Sequence, residues 1–201
     1  MNICLVGNSL TSLVLAKSLV NKKIKVTMYC KNKSYVRDGS RTIGISSNNI
    51  EFINKEIIKI NKTFLWDINQ IEIFNKFRNN NKIFNFIEQK KKLFFIIKND
   101  KFYHQLQKSL KQNIFFKKKV IKNIKTYNDI LKNSNFDLII NCDSKNNISK
   151  KYFTKIIYKD YDSTAYTTII NHEKKKTKKL FKFLQNMDLL PFYPYLKKKL
   201  P

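Results

Sequence analysis

The chain has 201 residues, of which 42% are apolar, enough for a packed core in one domain of good size or in two small ones. Its formal charge of +27 comes from 41 basic and 14 acidic residues, and nearly all of the basic residues are lysine. Because lysine is spread evenly among Asn, Ile and Phe while Gly, Pro and Arg are scarce, the charge follows a bias toward A/T-rich codons, and we do not expect nucleic acid as a partner.

The first thirty residues have the pattern of a βαβ nucleotide-binding unit. An apolar strand over residues 3–6 ends at a glycine, a helical run follows with its apolar residues on one face, and a second strand covers residues 24–28. Gly7, Ser9 and Ser12 occupy the three positions of the glycine fingerprint. Gly7 supplies the tight turn, and serine is small enough for a pyrophosphate to approach the helix N-terminus, though less closely. An α/β crossover without a ligand has the same pattern, so both interpretations stay open.

Two further candidate ligands lie near this unit. Cys30 stands at the end of the second strand, where such units carry an acidic residue that holds a ribose hydroxyl. Arg41 follows a polar loop over residues 32–40 and precedes a strand of small residues and a helix. Its guanidinium can pair with phosphate through two hydrogen bonds, and an ordinary surface arginine is the alternative. For Arg37 we favour the surface interpretation.

Short alternating runs replace this pattern over residues 66–98. Three of them, at residues 68–73, 83–87 and 93–97, are separated by polar turn residues. They predict a small antiparallel sheet inserted into the α/β domain. The elements predicted after it are, in chain order, a helix over residues 100–110, strands near residues 114–116 and 121–124, and a short helix over residues 127–131.

A buried strand predicted over residues 136–141 leads to Asp143. An aspartate directly after the carboxyl end of a parallel strand lies where such sheets bind ligands, and a turn-forming aspartate without a ligand is the alternative. The apolar run is typical of a strand covered on both faces. We therefore predict that this strand lies parallel to both strands of the βαβ unit, with Gly7 and Asp143 at the same edge of one sheet.

The remaining signals concern metals and location. Cys4, Cys30 and Cys142 have no metal-like spacing and are expected to be reduced thiols, and His104 and His172 are too isolated for a metal site or a catalytic triad. No apolar run has the length of a membrane span, and the N-terminus runs directly into a strand. We expect a cytoplasmic protein, with at most peripheral attraction of its lysines to the anionic inner face of a membrane.

Taken in order, five segments resemble the FAD-dependent aromatic-ring hydroxylases, and most closely the ubiquinone-biosynthesis hydroxylases. They are the βαβ start, the Arg-Thr-Ile-Gly-Ile-Ser segment at residues 41–46, the insertion that begins at Trp66, the strand–helix junction at residues 93–106, and the Asp-Leu-Ile-Ile-Asn-Cys-Asp-Ser segment at residues 137–144. Residues 161–173 are similar to a strand of the substrate domain in those enzymes. The resemblance covers residues 1 to about 175.

The resemblance implies a Rossmann-type FAD-binding half-domain with part of an antiparallel substrate-domain sheet. It also implies FAD as the cofactor, NAD(P)H as the co-substrate, and hydroxylation of a small aromatic quinone precursor, a polyprenylated phenol. The domain boundaries that it implies are residues 1–65 for the start of the FAD-binding domain, 66–98 for the inserted sheet, 99–150 for the return to the FAD-binding domain, 151–175 for a substrate-domain strand and 176–201 for a tail.

The family's cofactor roles carry over to named positions. Binding of the ADP pyrophosphate falls on Gly7, Ser9 and Ser12, an FAD contact falls on Arg41, and the role toward flavin and NAD(P)H falls on Asp143. The chain departs from the family at four positions, and these departures weaken the expected cofactor affinity. Serines replace two fingerprint glycines, a cysteine replaces the ribose-binding acid, and a serine replaces the glycine of the Asp-Gly motif, at Ser9, Ser12, Cys30 and Ser144.

The tail breaks the resemblance. Family members are much longer, so the resemblance implies a truncated monooxygenase that is inactive as this fragment. Residues 183–197 no longer match the family, but back-translated with A/T-rich codons and read one nucleotide earlier they can give a Gly-Pro-x-Ala-Phe-Leu-Pro strand of the family type. We infer a frame slip in the preceding lysine codons, with a divergent natural tail as the alternative, and expect residues from Lys176 onward to pack poorly. A nucleotide-binding Rossmann module without redox chemistry is the alternative function.

Overall fold

The structure is a computed structural model of the chain. It describes residues 1–31, 41–75, 81–87, 92–121, 124–132, 135–153, 155, 157, 159–160, 178–185 and 188–192, and at residues 75, 81, 124–126, 180–185 and 188–192 it describes the backbone only. The strands and helices are, in chain order, β1 (Asn2–Val6), α1 (Leu10–Asn21), β2 (Lys25–Cys30), β3 (Thr42–Ser46), α2 (Ser47–Phe52), β4 (Leu65–Ile68), β5 (Gln70–Asn75), β6 (Asn81–Ile87), β7 (Phe94–Lys98), α3 (Asn99–Lys111), β8 (Phe116–Val120), α4 (Ile124–Lys132), β9 (Leu138–Asn141), α5 (Asn147–Tyr152), β10 (Lys179–Gln185) and β11 (Asp188–Phe192).

The chain divides into two compact units. The first unit comprises Met1–Asp38, Phe52–Ile60 and Asn99–Tyr158, and the second comprises Gly39–Glu51, Asn61–Lys98 and Lys159–Pro201.

Within the part of the chain that the structure describes, no helix is both long enough and apolar enough to cross a membrane.

The first unit contains a four-stranded parallel sheet in the order β8-β2-β1-β9. Cys4 of β1 pairs with Thr27 on one side and with Ile139 on the other. Cys4 and Val6 belong to an apolar cluster that includes residues of α4 and α5, whereas α1 packs against β1, β2 and α3. Because successive side chains of a strand face opposite sides, β1 is covered on both faces. The predicted parallel pairing of these three strands is confirmed.

The region after α3 differs from the sequence prediction. The strand expected near residues 114–116 is β8, which begins at Phe116 and includes three consecutive lysines. The strand expected at residues 121–124 is wrong at both of its ends, because Ile121 lies outside any strand and α4 begins at Ile124, while residues 122–123 lie outside the described residues. The helix α4 extends past the short predicted helix at both ends. Lysines occupy β8 because it is an edge strand, and edge strands commonly carry lysine, which discourages pairing with another chain.

The second unit contains two sheets where the sequence predicted one. One is antiparallel, in the order β3-β7-β4, and the other has the order β11-β10-β5-β6. Glu72 of β5 is buried and accepts a hydrogen bond from Lys82 Nζ of β6 at 2.8 Å. Asp67 of β4 makes ion pairs with Lys92 at 2.7 Å and with Lys178 at 3.2 Å. These ion pairs offset part of the cost of burying the two carboxylates.

The tail joins the second sheet. The backbone of β10 pairs with β5 in parallel over residues 179–184, and β11 pairs with β10 in antiparallel fashion. The predicted poor packing from Lys176 onward concerns side chains that the structure does not describe, whereas the backbone of residues 179–185 and 188–192 is paired in a sheet. Pro191 lies in β11, an edge strand, which tolerates a residue without an N–H group. Apart from Lys179, the structure does not describe the side chains of these two strands. Residues 161–173, which resemble a substrate-domain strand, also lie outside the described residues.

Candidate functional site

Two loops meet where the strand order of the parallel sheet reverses. β2 and β8 lie on one side of β1, and β9 lies on the other. The loop after β1 begins at Gly7 and the loop after β9 begins at Cys142, whose N–H donates to the carbonyl of Val6 at 2.8 Å. In open α/β sheets, ligands bind in the crevice outside the carboxyl ends of the strands at this reversal. The prediction that Gly7 and Asp143 lie at one edge of the sheet is confirmed.

Gly7 is a position that only glycine fits. Its φ angle is +128°, a conformation that residues with a side chain rarely adopt. A Cβ atom there would lie 3.2 Å from the carbonyl carbon of Cys142 and 3.3 Å from Ser12 Oγ. Its N–H group donates to the carbonyl of Tyr29 at 2.8 Å. Glycine is therefore required at this turn, because the positive φ angle and the backbone of the neighbouring loop leave no room for a side chain.

Ser9 and Ser12 close the N-terminus of α1 with a reciprocal cap. Ser12 N–H donates to Ser9 Oγ, Ser9 N–H donates to Ser12 Oγ, and the two hydroxyls lie 2.9 Å apart. The N–H groups of Leu10 and Thr11 are not part of this cap, and the first N–H groups of a helix have no acceptor inside the helix. The first turn of α1 contains no acidic residue, so its positive dipole end is available to an anion.

Asn8 is a part of this loop that the sequence analysis did not identify. Its Oδ1 accepts a hydrogen bond of 2.7 Å from the hydroxyl of Tyr103, a buried residue of α3. Its Nδ2 is buried and has no hydrogen-bond partner among the described atoms. The two residues are 95 positions apart, so no local sequence pattern pointed to the pair.

A polar network holds the loop that contains Asp143. The Asp143 carboxylate accepts from Lys145 N–H at 3.0 Å, and its carbonyl accepts from Ser149 Oγ at 2.8 Å. Asn146 is buried, caps α5 and donates its amide to Asn141 Oδ1 at 2.7 Å. These bonds fix the course of the loop, and the side chain of Asp143 stays partly exposed at the edge of the sheet.

The electrostatic effect of Asp143 reaches Tyr127 of α4. Burial and, to a smaller extent, the charge of Asp143 raise the pKa of Tyr127 above its usual value. The Tyr127 phenol therefore stays neutral to a higher pH than an exposed tyrosine does.

Cys30 and Arg41 are the two remaining predicted ligands. Cys30 is buried at the end of β2, and its Sγ donates to the carbonyl of Lys119 at 3.7 Å. Burial raises the pKa of this thiol, so it stays neutral and supplies none of the carboxylate acceptors that a ribose diol takes. Arg41 belongs to the second unit, where its exposed side chain precedes β3.

No family model and no curated protein matches the sequence, but solved structures do match the fold. The p-nitrophenol 4-monooxygenase PnpA from Pseudomonas putida has a TM-score of 0.51 at 10% identity, over 59% of this chain and 31% of PnpA. PqsL in complex with 2-aminobenzoylacetate has a TM-score of 0.50 at 10% identity, over 60% of this chain and 33% of PqsL. Over about 60% of its length, the chain has an α/β fold similar to that of these two structures. It spans about a third of the length of these neighbours.

The residues present fit one end of FAD better than the other. The tight turn at Gly7, the helix N-terminus and the buried, unpartnered Nδ2 of Asn8 form a set of donors suited to a pyrophosphate. The Oγ atom of Ser9 occupies space that a glycine would leave open. The end of β2 offers Cys30 where a carboxylate would hold the ribose. The phosphate part of the cofactor is therefore matched, and the ribose contact is not.

Proposed function

We propose that the chain is the FAD-binding part of a flavin-dependent monooxygenase of the ubiquinone-biosynthesis type. The observation that carries this proposal is the meeting of the Gly7 turn, the N-terminus of α1 and the Asp143 loop at the reversal of the strand order. This arrangement suits a dinucleotide with an anionic centre, since backbone N–H groups face the phosphates and a carboxylate lies beside them.

Each part of the site has a proposed role in binding the cofactor. The loop from Gly7 to Ser12 binds the pyrophosphate, and Asp143 orients the ribityl–flavin side of the cofactor. Arg41 is proposed as a further FAD contact, a role that the family resemblance implies. When bound, reduced flavin activates dioxygen for transfer to an electron-rich ring, here a polyprenylated phenol, and NAD(P)H supplies the electrons. Water must be excluded from that reaction, so we propose that the polypeptide of 201 residues does not by itself oxidise NAD(P)H productively.

The test is reconstitution with FAD. Purified protein is incubated with excess FAD and passed over a desalting column, and the retained flavin is measured from its visible absorbance against the protein concentration. The proposal predicts a saturable complex that Asp143→Asn weakens. Asp129→Asn, which makes the same change on the exposed face of α4, serves as the matched control and should bind as the wild type does. Absence of saturable flavin binding by the wild type would refute the proposal.

A second candidate function is nucleotide binding without redox chemistry. The Ser9–Ser12 cap and Cys30 favour it, because both depart from the residues that hold a complete FAD. The two functions differ in what the flavin ring contributes to affinity. An affinity for FAD well above that for ADP supports the flavoprotein, and equal affinities support the nucleotide-binding module.

We propose a cytoplasmic location, with at most peripheral attraction of the lysines to the anionic inner face of a membrane.

A further inference from the structure

We infer that Asn8 is a phosphate ligand of the proposed cofactor site and that Tyr103 positions it. This inference rests on the proposed function. It assigns a binding role to a fingerprint position that usually contributes only its backbone, and a positioning role to a tyrosine on a helix far along the chain.

The hydrogen bond between the two side chains fixes which way the Asn8 amide faces. Tyr103 is 1% exposed and sits in α3, which packs against α1. Its hydroxyl donates to Asn8 Oδ1 at 2.7 Å, so the acceptor end of the carboxamide is occupied. The donor end, Nδ2, is buried without a partner among the described atoms. An unpaired buried donor lowers stability, and an acceptor that binds there recovers the lost free energy.

The surroundings of Asn8 define the acceptor. Asn8 lies between the tight turn at Gly7 and the cap residue Ser9, directly before the free first-turn amides of α1. The first turn carries no acidic side chain. A neutral amide donor beside a helix N-terminus is suited to a phosphate oxygen, which accepts several hydrogen bonds at once. Asn8 and the helix amides together form the donor set for one phosphate group.

Removal of either side chain should therefore weaken phosphate binding to different degrees. Asn8→Ala should lower the affinity for ADP roughly ten- to a hundredfold, because a hydrogen bond to a charged group is lost. Tyr103→Phe should lower it roughly three- to tenfold, because the amide is kept but no longer oriented. The double variant should bind no more weakly than Asn8→Ala, since Tyr103 acts only through Asn8.

Calorimetric titrations with ADP, FAD and adenosine test the inference. The losses should appear with ADP and FAD and not with adenosine, which lacks phosphate. Tyr152→Phe, which removes the same hydroxyl from an exposed tyrosine of α5, is the matched control and should change nothing. Asn8→Asp keeps the size of the side chain and adds a negative charge, so it should abolish ADP binding.

Two results would overturn the inference while leaving the proposed function intact. The first is wild-type affinity for ADP in Asn8→Ala. The second is a loss of ADP affinity on adding Tyr103→Phe to Asn8→Ala that equals the loss caused by Tyr103→Phe alone. The tyrosine would then act through packing and not through Asn8. Failure of the wild-type protein to bind either FAD or ADP would instead overturn the proposed function together with this inference.

Discussion

Replacement of Gly7 by alanine should destabilise the first unit severely. The φ angle of +128° costs a residue with a Cβ atom roughly 1–3 kcal/mol. Contact with Cys142 and Ser12 at 3.2–3.3 Å adds crowding in a packed region, at a cost of about 1–3 kcal/mol. The sum is roughly 2–6 kcal/mol. For a unit of about 100 residues, in which 1 kcal/mol shifts the Tm by about 4–8 °C, the Tm should fall by at least about 8 °C.

Thermal unfolding followed by far-UV circular dichroism measures this change. Gly44→Ala is the matched control, because Gly44 lies in β3 and its added Cβ would meet only the Phe94 ring at 3.4 Å. Its effect should stay below about 1 kcal/mol, since a side chain in a strand also offsets the entropy cost of glycine. A Gly7→Ala protein that melts within a few degrees of the wild type would refute the close approach of the two loops.

Three further predictions follow from single groups. Ser9→Ala removes a capping bond of α1 and should lower the free energy of unfolding by about 1 kcal/mol, measured by urea denaturation. Under native conditions a maleimide should label Cys142 before Cys4, as read by peptide mass spectrometry, because burial raises the pKa of Cys4 to about 12. Burial would raise the pKa of Asp67, but hydrogen bonds from two lysines hold it below its usual value. The free energy of unfolding of the wild type should therefore exceed that of Asp67→Asn by up to about 1 kcal/mol near neutral pH. This difference should disappear as the pH falls below about 4, as measured by denaturation curves recorded across pH.

The parallel core of the first unit could be predicted because its two central strands, β1 and β2, are buried on both faces. Residues 3–6 form a nearly continuous apolar run, as is typical of such strands, and the alternating apolar residues at 24–28 indicated the second strand. The same logic located Gly7 and Asp143 at one edge. Parallel strands bring their carboxyl ends together, so two separate sequence signals became neighbours in space.

The prediction failed where neighbouring elements decide the structure. β8 carries three lysines and has no apolar run, and its place at the edge of the sheet depends on pairing with β2. The polar pattern of its sequence did not indicate in which register it pairs with β2. β10 likewise pairs with β5, more than one hundred residues earlier, so only the folded chain shows that the tail extends a sheet. Pairings of this kind depend on long-range contacts that local periodicity does not contain.

Only the part of the site that depends on local structure could be predicted. Gly7, Ser9 and Ser12 belong to a compact fingerprint, and their roles as turn and cap follow from local backbone geometry. The pair of Asn8 and Tyr103 joins the fingerprint to α3, and its bond forms only after α1 and α3 pack together. No spacing in the sequence distinguishes these two residues from other asparagines and tyrosines.

Amide chemical-shift mapping with ADP tests the central claim most directly, namely that a dinucleotide binds at the reversal of the strand order. A ¹⁵N-labelled sample is titrated with ADP at physiological salt. We expect saturable shifts that concentrate on residues 7–13 and 142–146, the two loops beside Gly7 and Asp143. Shifts that do not saturate, or that concentrate on the lysines of β8, would contradict the account and show that phosphate binds only through the general positive charge of the chain.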